Sequence, residues 1–176
     1  INLVTILLIV FGGIGYIVWW DLVGALKNIL RQRLRCFTNL TFHSKIALSV
    51  TGILILAGTA AIFVFEYNNP LTIGSFSFID KLQASLFQSV TTRTAGFATI
   101  PQEDLTNASA IASLLLMFIG GSPVGTAGGI KTVTFAVLIT SAFATMKTHA
   151  EAELFHRTLP KHAVSKAVAV GSMAGI

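Results

Sequence analysis

Ser89-Val90-Thr91-Thr92-Arg93-Thr94-Ala95-Gly96-Phe97 is the stretch whose reading decides the fold of this chain. Its Thr and Gly residues suit an extended turn, and the segment before it, Ser77 to Val90, is too short to cross a bilayer. Ser77 and Asp80 stand three residues apart at the start of that segment, a spacing like a capping box with Asp in the Glu place. Ile79, Leu82, Leu86 and Val90 then recur at helical spacing. A short helix is expected over 77–90. Its C-terminal end would face the turn and bring a partial negative charge to it.

Long apolar segments bracket this unit. Ile46 to Phe65 carries no charge and reaches ~30 Å as a helix. It ends at Glu66-Tyr67-Asn68-Asn69-Pro70, where the proline breaks a helix. On the other side a polar loop with Glu103 and Asp104 leads into the apolar run Ala108 to Gly120. Gly120-Gly121-Ser122-Pro123-Val124-Gly125-Thr126-Ala127-Gly128-Gly129-Ile130-Lys131-Thr132 follows, and Val133 to Met146 is apolar again. Neither apolar piece covers ~30 Å alone, so together they read as one span broken at mid-depth. Non-helical backbone at that depth is tolerated only inside protein or beside water, so the break is expected to line a pathway. A glycine-rich helix crossing is the plainer alternative, but Ser122, Pro123 and Thr126 in the same break speak against it.

Composition sets the class. The chain has 176 residues, 53% hydrophobic and 11% charged, whereas soluble domains carry about 25% charged residues. The mean hydropathy is +0.78. Ile1 to Trp20 is a further uncharged run long enough to span, and it lacks the basic start and cleavage site of a signal peptide. Because apolar runs stand at both ends, we read the sequence as an internal part of a longer multi-span chain. Lys27, Arg31, Arg33, Arg35 and Lys45 crowd one loop against Asp21 alone. Lys147, Arg157, Lys161 and Lys166 stand against Glu151 and Glu153 in another. Both loops are expected on the cytoplasmic face, which accounts for the pI of about 9.7 without a nucleic-acid partner. Glu66, Asp80, Glu103 and Asp104, with Lys81, fall on the opposite side. The short helix therefore enters from the outside and returns there. The single cysteine, Cys36, excludes an intrachain disulfide and reads as an inert thiol rather than an acylation site.

A Thr/Gly turn between a re-entrant helix and a span can offer backbone carbonyls in place of an ion's hydration shell, and glycine lets the backbone curl toward the ion. The two stretches 91–97 and 120–132, in this order and spacing, resemble the Trk/Ktr/HKT superfamily of potassium transporters, above all a bacterial Ktr-type membrane subunit. Phe11-Gly12-Gly13-Ile14-Gly15-Tyr16 is similar to the glycine-rich end of that family's second repeat. The resemblance implies an all-α membrane protein. Each repeat would be a transmembrane helix, a pore helix, a filter loop and a broken transmembrane helix, with four repeats around one potassium-channel-like pore. Residues 1–20 would be the last span of repeat two and 21–45 a basic cytoplasmic loop. Repeat three would occupy 46–146, with its span at 46–65, pore helix at 77–90, filter at 91–97 and broken span at 108–146. A cytoplasmic segment at 147–166 and the start of repeat four at 167–176 would follow.

Carried over by position, the resemblance implies a selectivity filter in which the backbone of Thr94, Ala95, Gly96 and Phe97 binds K+. Thr91, Thr92 and Arg93 would support it. A second glycine found in potassium-channel filters is replaced here by Ala98. Gly120, Gly121, Ser122, Pro123, Val124, Gly125, Thr126, Ala127, Gly128, Gly129 and Lys131 would form an intramembrane gating loop beneath the filter. The implied function is potassium uptake across a bacterial inner (plasma) membrane by a multi-pass subunit, with sodium as the alternative ion. No covalent cofactor and no enzymatic step are implied. The implied partners are a second copy of the full-length chain, a cytosolic nucleotide-binding regulatory ring and the lipid bilayer.

Arg93 and Lys131 are the ionisable residues expected within the membrane zone, which makes both functional candidates. Arg93 would repel a cation if it pointed into the path, so it is expected behind the filter as a brace. Lys131 either contacts loop carbonyls or extends toward the cytoplasm. Gly125 to Thr132 superficially matches the phosphate loop G-x-x-x-x-G-K-[ST], but Ile130 separates Gly129 from Lys131 and no strand precedes it. His43, His149, His156 and His162 lack the cysteines and carboxylates of a zinc site. Two rival readings are a sodium or sodium/potassium-coupled transporter of the same superfamily and a non-conducting membrane sensor or anchor.

Overall fold

The computed structural model describes residues 2–29, 40–146, 153–154, 157–158 and 161–174. Seven helices carry the fold: α1 (Asn2–Gly13), α2 (Tyr16–Ile29), α3 (Phe42–Glu66), α4 (Phe78–Thr91), α5 (Asn107–Phe118), α6 (Thr132–Met146) and α7 (Lys161–Ala174). Two-residue strands β1 (Glu153–Leu154) and β2 (Arg157–Thr158) pair antiparallel between α6 and α7. Arg31, Arg33, Arg35, Cys36, Lys147, His149, Glu151 and His156 lie outside the described residues.

Among the described residues α3 is the one helix that is long and apolar enough to cross a membrane by itself. It starts at Phe42, earlier than the apolar run, because Thr41 caps it: the Ser44 N–H donates to Thr41 Oγ1 at 3.3 Å. Its 25 residues rise about 37 Å. It packs against α2, α4, α5 and α6, and is the post around which the other helices stand.

The run expected as a span over 1–20 is bent, and its two helices together are long and apolar enough for a span. The chain turns by 103° between α1 and α2. Gly15 adopts φ +84, a left-handed conformation that ends α1 and restarts the helix in a new direction. Helix also continues through Asp21 to Ile29, where a loop was expected from 21 onward. Asp21 is drawn into the fold because its carboxylate accepts from the Thr41 and Ser44 hydroxyls at the start of α3. Likewise α7 begins at Lys161, inside the segment expected to be a loop to 166.

The route between α3 and α5 is re-entrant. The chain leaves α3 at Glu66, passes through α4 and the 91–97 turn, and returns to Thr106 beside the same Glu66. That carboxylate is fully buried and accepts from four donors. Asn69 Nδ2 and Thr72 Oγ1 reach Oε2 at 2.7 and 2.6 Å, while Thr106 N and Oγ1 reach Oε1 at 2.9 and 2.7 Å. Lys81 ties α4 to the same end by donating to the Tyr67 carbonyl at 2.8 Å, with its ammonium 4.2 Å above the Tyr67 ring. The far end of α4 reaches much deeper, since Ser89 Oγ donates to the Ile55 carbonyl at 3.0 Å. Ile55 lies roughly 16 Å along α3 from Glu66 at 1.5 Å per residue. The turn after α4 therefore sits at the middle of the span.

Glu66→Ala would leave several buried donors unpaired, each worth about 1–3 kcal/mol. The thermal midpoint of detergent-purified full-length protein is expected to fall clearly. Glu66→Gln keeps one carbonyl acceptor and is expected to fall between the two. Midpoints unchanged in both variants would show that this node does not hold the Glu66 end of the bundle together.

Candidate functional site

Thr91, the last residue of α4, organises the whole turn. Its carbonyl accepts from Ala95 N at 3.0 Å and Gly96 N at 3.3 Å, while its hydroxyl donates to the Phe97 carbonyl at 2.6 Å. Thr92 Oγ1 donates to the Ser89 carbonyl at 2.8 Å, and Arg93 N to the Val90 carbonyl at 3.2 Å. The N–H groups of Arg93, Ala95 and Gly96 thus turn back onto the end of α4. Among the described residues no hydrogen bond reaches the carbonyls of Thr94, Ala95 or Gly96. These three residues are exposed or half-buried, so their carbonyls are open to a partner from outside the described residues. The Phe97 carbonyl accepts from Thr91 Oγ1 and keeps a second lone pair. Beyond the turn, a reciprocal amide pair fastens the returning chain to α4: Gln88 Nε2 donates to Gln102 Oε1 at 2.7 Å and Gln102 Nε2 to Gln88 Oε1 at 3.1 Å.

Two residues of the turn have positive φ, Thr94 at 69° and Gly96 at 77°. A Cβ on Gly96 would meet nothing within 4 Å. Its need for glycine therefore comes from backbone conformation rather than clearance. Thr94 is β-branched and takes the same conformation as an outlier, as does Val124 at φ 61. Such outliers cost about 1–3 kcal/mol each and persist only when their surroundings hold them.

The break between α5 and α6 is a closed loop rather than a simple kink. Its neck is a parallel bridge of Ile119 with Ile130. Gly120 N donates to the Ile130 carbonyl, Ile130 N to that of Phe118 and Thr132 N to that of Gly121, each at 3.0 Å. The body of the loop rests on the α1–α2 bend. Ser122 N donates to the Gly13 carbonyl at 2.9 Å and Thr126 N to that of Gly12 at 3.4 Å. Side chains are excluded from this contact, since a Cβ on Gly15 would come within 2.5 Å of the Pro123 carbonyl and one on Gly125 within 2.8 Å of that of Gly13.

The turn and the loop meet directly. Gly128 N donates to Thr94 Oγ1 at 3.0 Å. Arg93 is buried behind the turn, and its Nη2 donates to the Gly120 carbonyl at 3.2 Å and Thr51 Oγ1 at 3.4 Å. Its Nε has no partner among the described residues, and a cavity of about 10 Å³ beside it, also lined by Thr51 and Gly121, has room for about one water. Lys131 donates to the Ala127 carbonyl at 2.5 Å, which decides its role in favour of a contact with the loop. Sequence reasoning assigned the turn and the loop separately and missed that Gly12 and Gly13 carry the loop, that Thr91 closes the turn and that Glu66 anchors the end where α3 stops and α5 begins. The glycine density at 12–15 was the available signal for the first of these.

A family model described as TrkH, cation transport protein, matches residues 1–171. The chain belongs to the TrkH family. This is a family of transport proteins, not of enzymes. Among TrkH-family relatives, the chain is 38% identical over 170 residues to Ktr system potassium uptake protein B of Bacillus subtilis, covering 97% of this chain and 36% of that protein. It is 38% identical over 161 residues to potassium/sodium uptake protein NtpJ of Enterococcus hirae, covering 92% and 34%. The fold matches the crystal structure of the potassium transporter TrkH from Vibrio parahaemolyticus with a TM-score of 0.77 at 18% identity, over 98% of this chain and 36% of that one. The chain thus spans about a third of the length of the relatives it matches. Its all-helical membrane fold is the helix–pore helix arrangement of the TrkH family.

The loop geometry separates two glycines that look equivalent in the TrkH-family motif. A Cβ on Gly120 would lie 1.5 Å from the Gly128 carbonyl oxygen, whereas one on Gly128 would meet only Thr94 Cγ2 at 3.8 Å. Gly120→Ala is expected to lower the thermal midpoint of the full-length protein by several degrees and Gly128→Ala to leave it nearly unchanged. Equal shifts would contradict the closed neck.

Proposed function

We propose that this chain is part of the ion-conducting subunit of a potassium uptake system, with 91–97 as one quarter of its selectivity filter. The observation that carries this reading is the row of free carbonyls at Thr94, Ala95 and Gly96, held at mid-span at the negative end of α4. In this reading K+ sheds water against those carbonyls and then passes the 120–131 loop, which obstructs the path when closed. The two basic loops face the cytoplasm, the Glu66 end faces outward, and the protein sits in a bacterial inner membrane. A homodimer of the full-length chain and a cytosolic nucleotide-binding regulatory ring complete the system by resemblance to the Ktr type. Sodium is the second candidate ion, favoured by the likeness to a relative named for potassium/sodium uptake and by Ala98 in place of a second filter glycine.

Gly96→Ser tests the filter. Serine at φ +77 is strained, so the apparent affinity for potassium uptake by the full-length protein is expected to fall by more than protein abundance does. An unchanged apparent affinity would defeat the filter assignment. Deleting part of Gly121 to Gly129 tests the loop as a barrier. Flux per molecule is expected to rise and control by the regulator to weaken. A stable deletion variant with unchanged flux would leave the loop as packing alone.

A further inference from the structure

We propose that the transported cation and the closed loop compete for one oxygen, Thr94 Oγ1, so that ion occupancy at the inner end of the filter loosens the loop. The proposal rests on the filter reading of 91–97. It starts from the contact between the two elements. Gly128 presents its N–H to Thr94 Oγ1 at 3.0 Å, at an exposed position next to the free carbonyl of Thr94 itself. The positive end of the Gly128 peptide dipole therefore occupies the place where a cation using that hydroxyl would stand. A hydroxyl oxygen has lone pairs for two partners, but an N–H and a cation on adjacent lone pairs repel each other. The amide serves as a stand-in for the ion while the loop is closed.

Two further features give the contact consequences. Thr94 holds a left-handed backbone at φ 69 that its branched side chain disfavours, and Val124 in the loop does the same at φ 61. The Thr94 end of the contact, and the loop four residues before Gly128, are thus held in disfavoured backbone conformations that their surroundings must maintain. The loop's remaining attachments, Ser122 and Thr126 to the Gly13 and Gly12 carbonyls, Lys131 to Ala127 and Arg93 to Gly120, do not involve the free carbonyls of the turn. An ion arriving at Thr94 thus removes one specific bond of the closed state and leaves the others intact. Linkage makes the effect reciprocal: closure must weaken cation binding at this oxygen by the same factor by which the cation weakens closure.

The test uses full-length protein without other cysteines, with Cys36→Ser and a reporter at the exposed loop position Thr126→Cys. Labelling by a water-soluble thiol reagent is followed as potassium replaces a large organic cation at constant ionic strength. Labelling is expected to accelerate by roughly fivefold or more at saturating potassium. Thr94→Ser keeps the hydroxyl and is expected to keep this dependence, and Thr94→Val to lose it. Thermal midpoints measured in the same potassium series report binding independently, with Gly96→Ser as the control that weakens it. If potassium raises the midpoint but labelling stays flat, or Thr94→Val responds as the parent does, the competition is refuted and the filter reading stands. If potassium changes neither midpoint nor labelling, both are refuted. Should Thr94→Val fail to fold, a flat labelling response in the parent or in Thr94→Ser still overturns the proposal.

Discussion

Non-helical backbone packed among apolar helices has little water to bond, and this chain carries two such stretches beside the middle of α3. The requirement that their N–H and C=O groups find partners explains most of what surrounds them. The turn turns its donors back onto the end of α4 through Thr91, Val90 and Gln88. The loop closes its own neck and gives the donors of Ser122 and Thr126 to the bend at Gly12 and Gly13. The two stretches then satisfy each other through Arg93 with Gly120 and Thr94 with Gly128. What is left over is a set of carbonyls on one side of the turn.

The glycines follow from the same constraint, for two separate reasons. At Gly120 and Gly125 another strand of backbone comes so close that a Cβ would overlap a carbonyl. At Gly96 there is open space, and only the left-handed φ calls for glycine. Gly15 combines both, with φ +84 and a carbonyl 2.5 Å from where its Cβ would be. Substitutions at these positions therefore fail differently, some by collision and one by conformation.

The unit around the turn was legible because it is local. Ser77 and Asp80 cap α4, the apolar spacing sets its faces, and the glycine and proline pattern at 120–132 marks the break between α5 and α6. The bend at Ile14–Gly15 was not legible as a bend. An uncharged run such as 1–20 satisfies the length rule for a span whether or not it is straight, and hydropathy does not record a single positive φ. The node at Glu66 was hidden for another reason. Its partners Asn69, Thr72 and Thr106 are ordinary loop residues, and the last is brought to it only by the return of the chain after the re-entrant helix. Contacts of this kind between distant residues carry no periodic signal.

Arg93 and Lys131 set a problem that the geometry answers. Two cations stand beside a path whose expected cargo is a cation, which would be self-defeating if they faced it. Each instead directs its charge at loop carbonyls, Arg93 from behind the turn and Lys131 from within the loop. The choice of side chain at 93 matters. The Arg93 guanidinium reaches acceptors on two different elements through its Nη2, Thr51 on α3 and Gly120 at the neck. The Lys131 ammonium, a compact charge on a flexible stem, reaches the single nearby carbonyl of Ala127. Arginine at 93 therefore ties the 91–97 turn, α3 and the loop neck to one another.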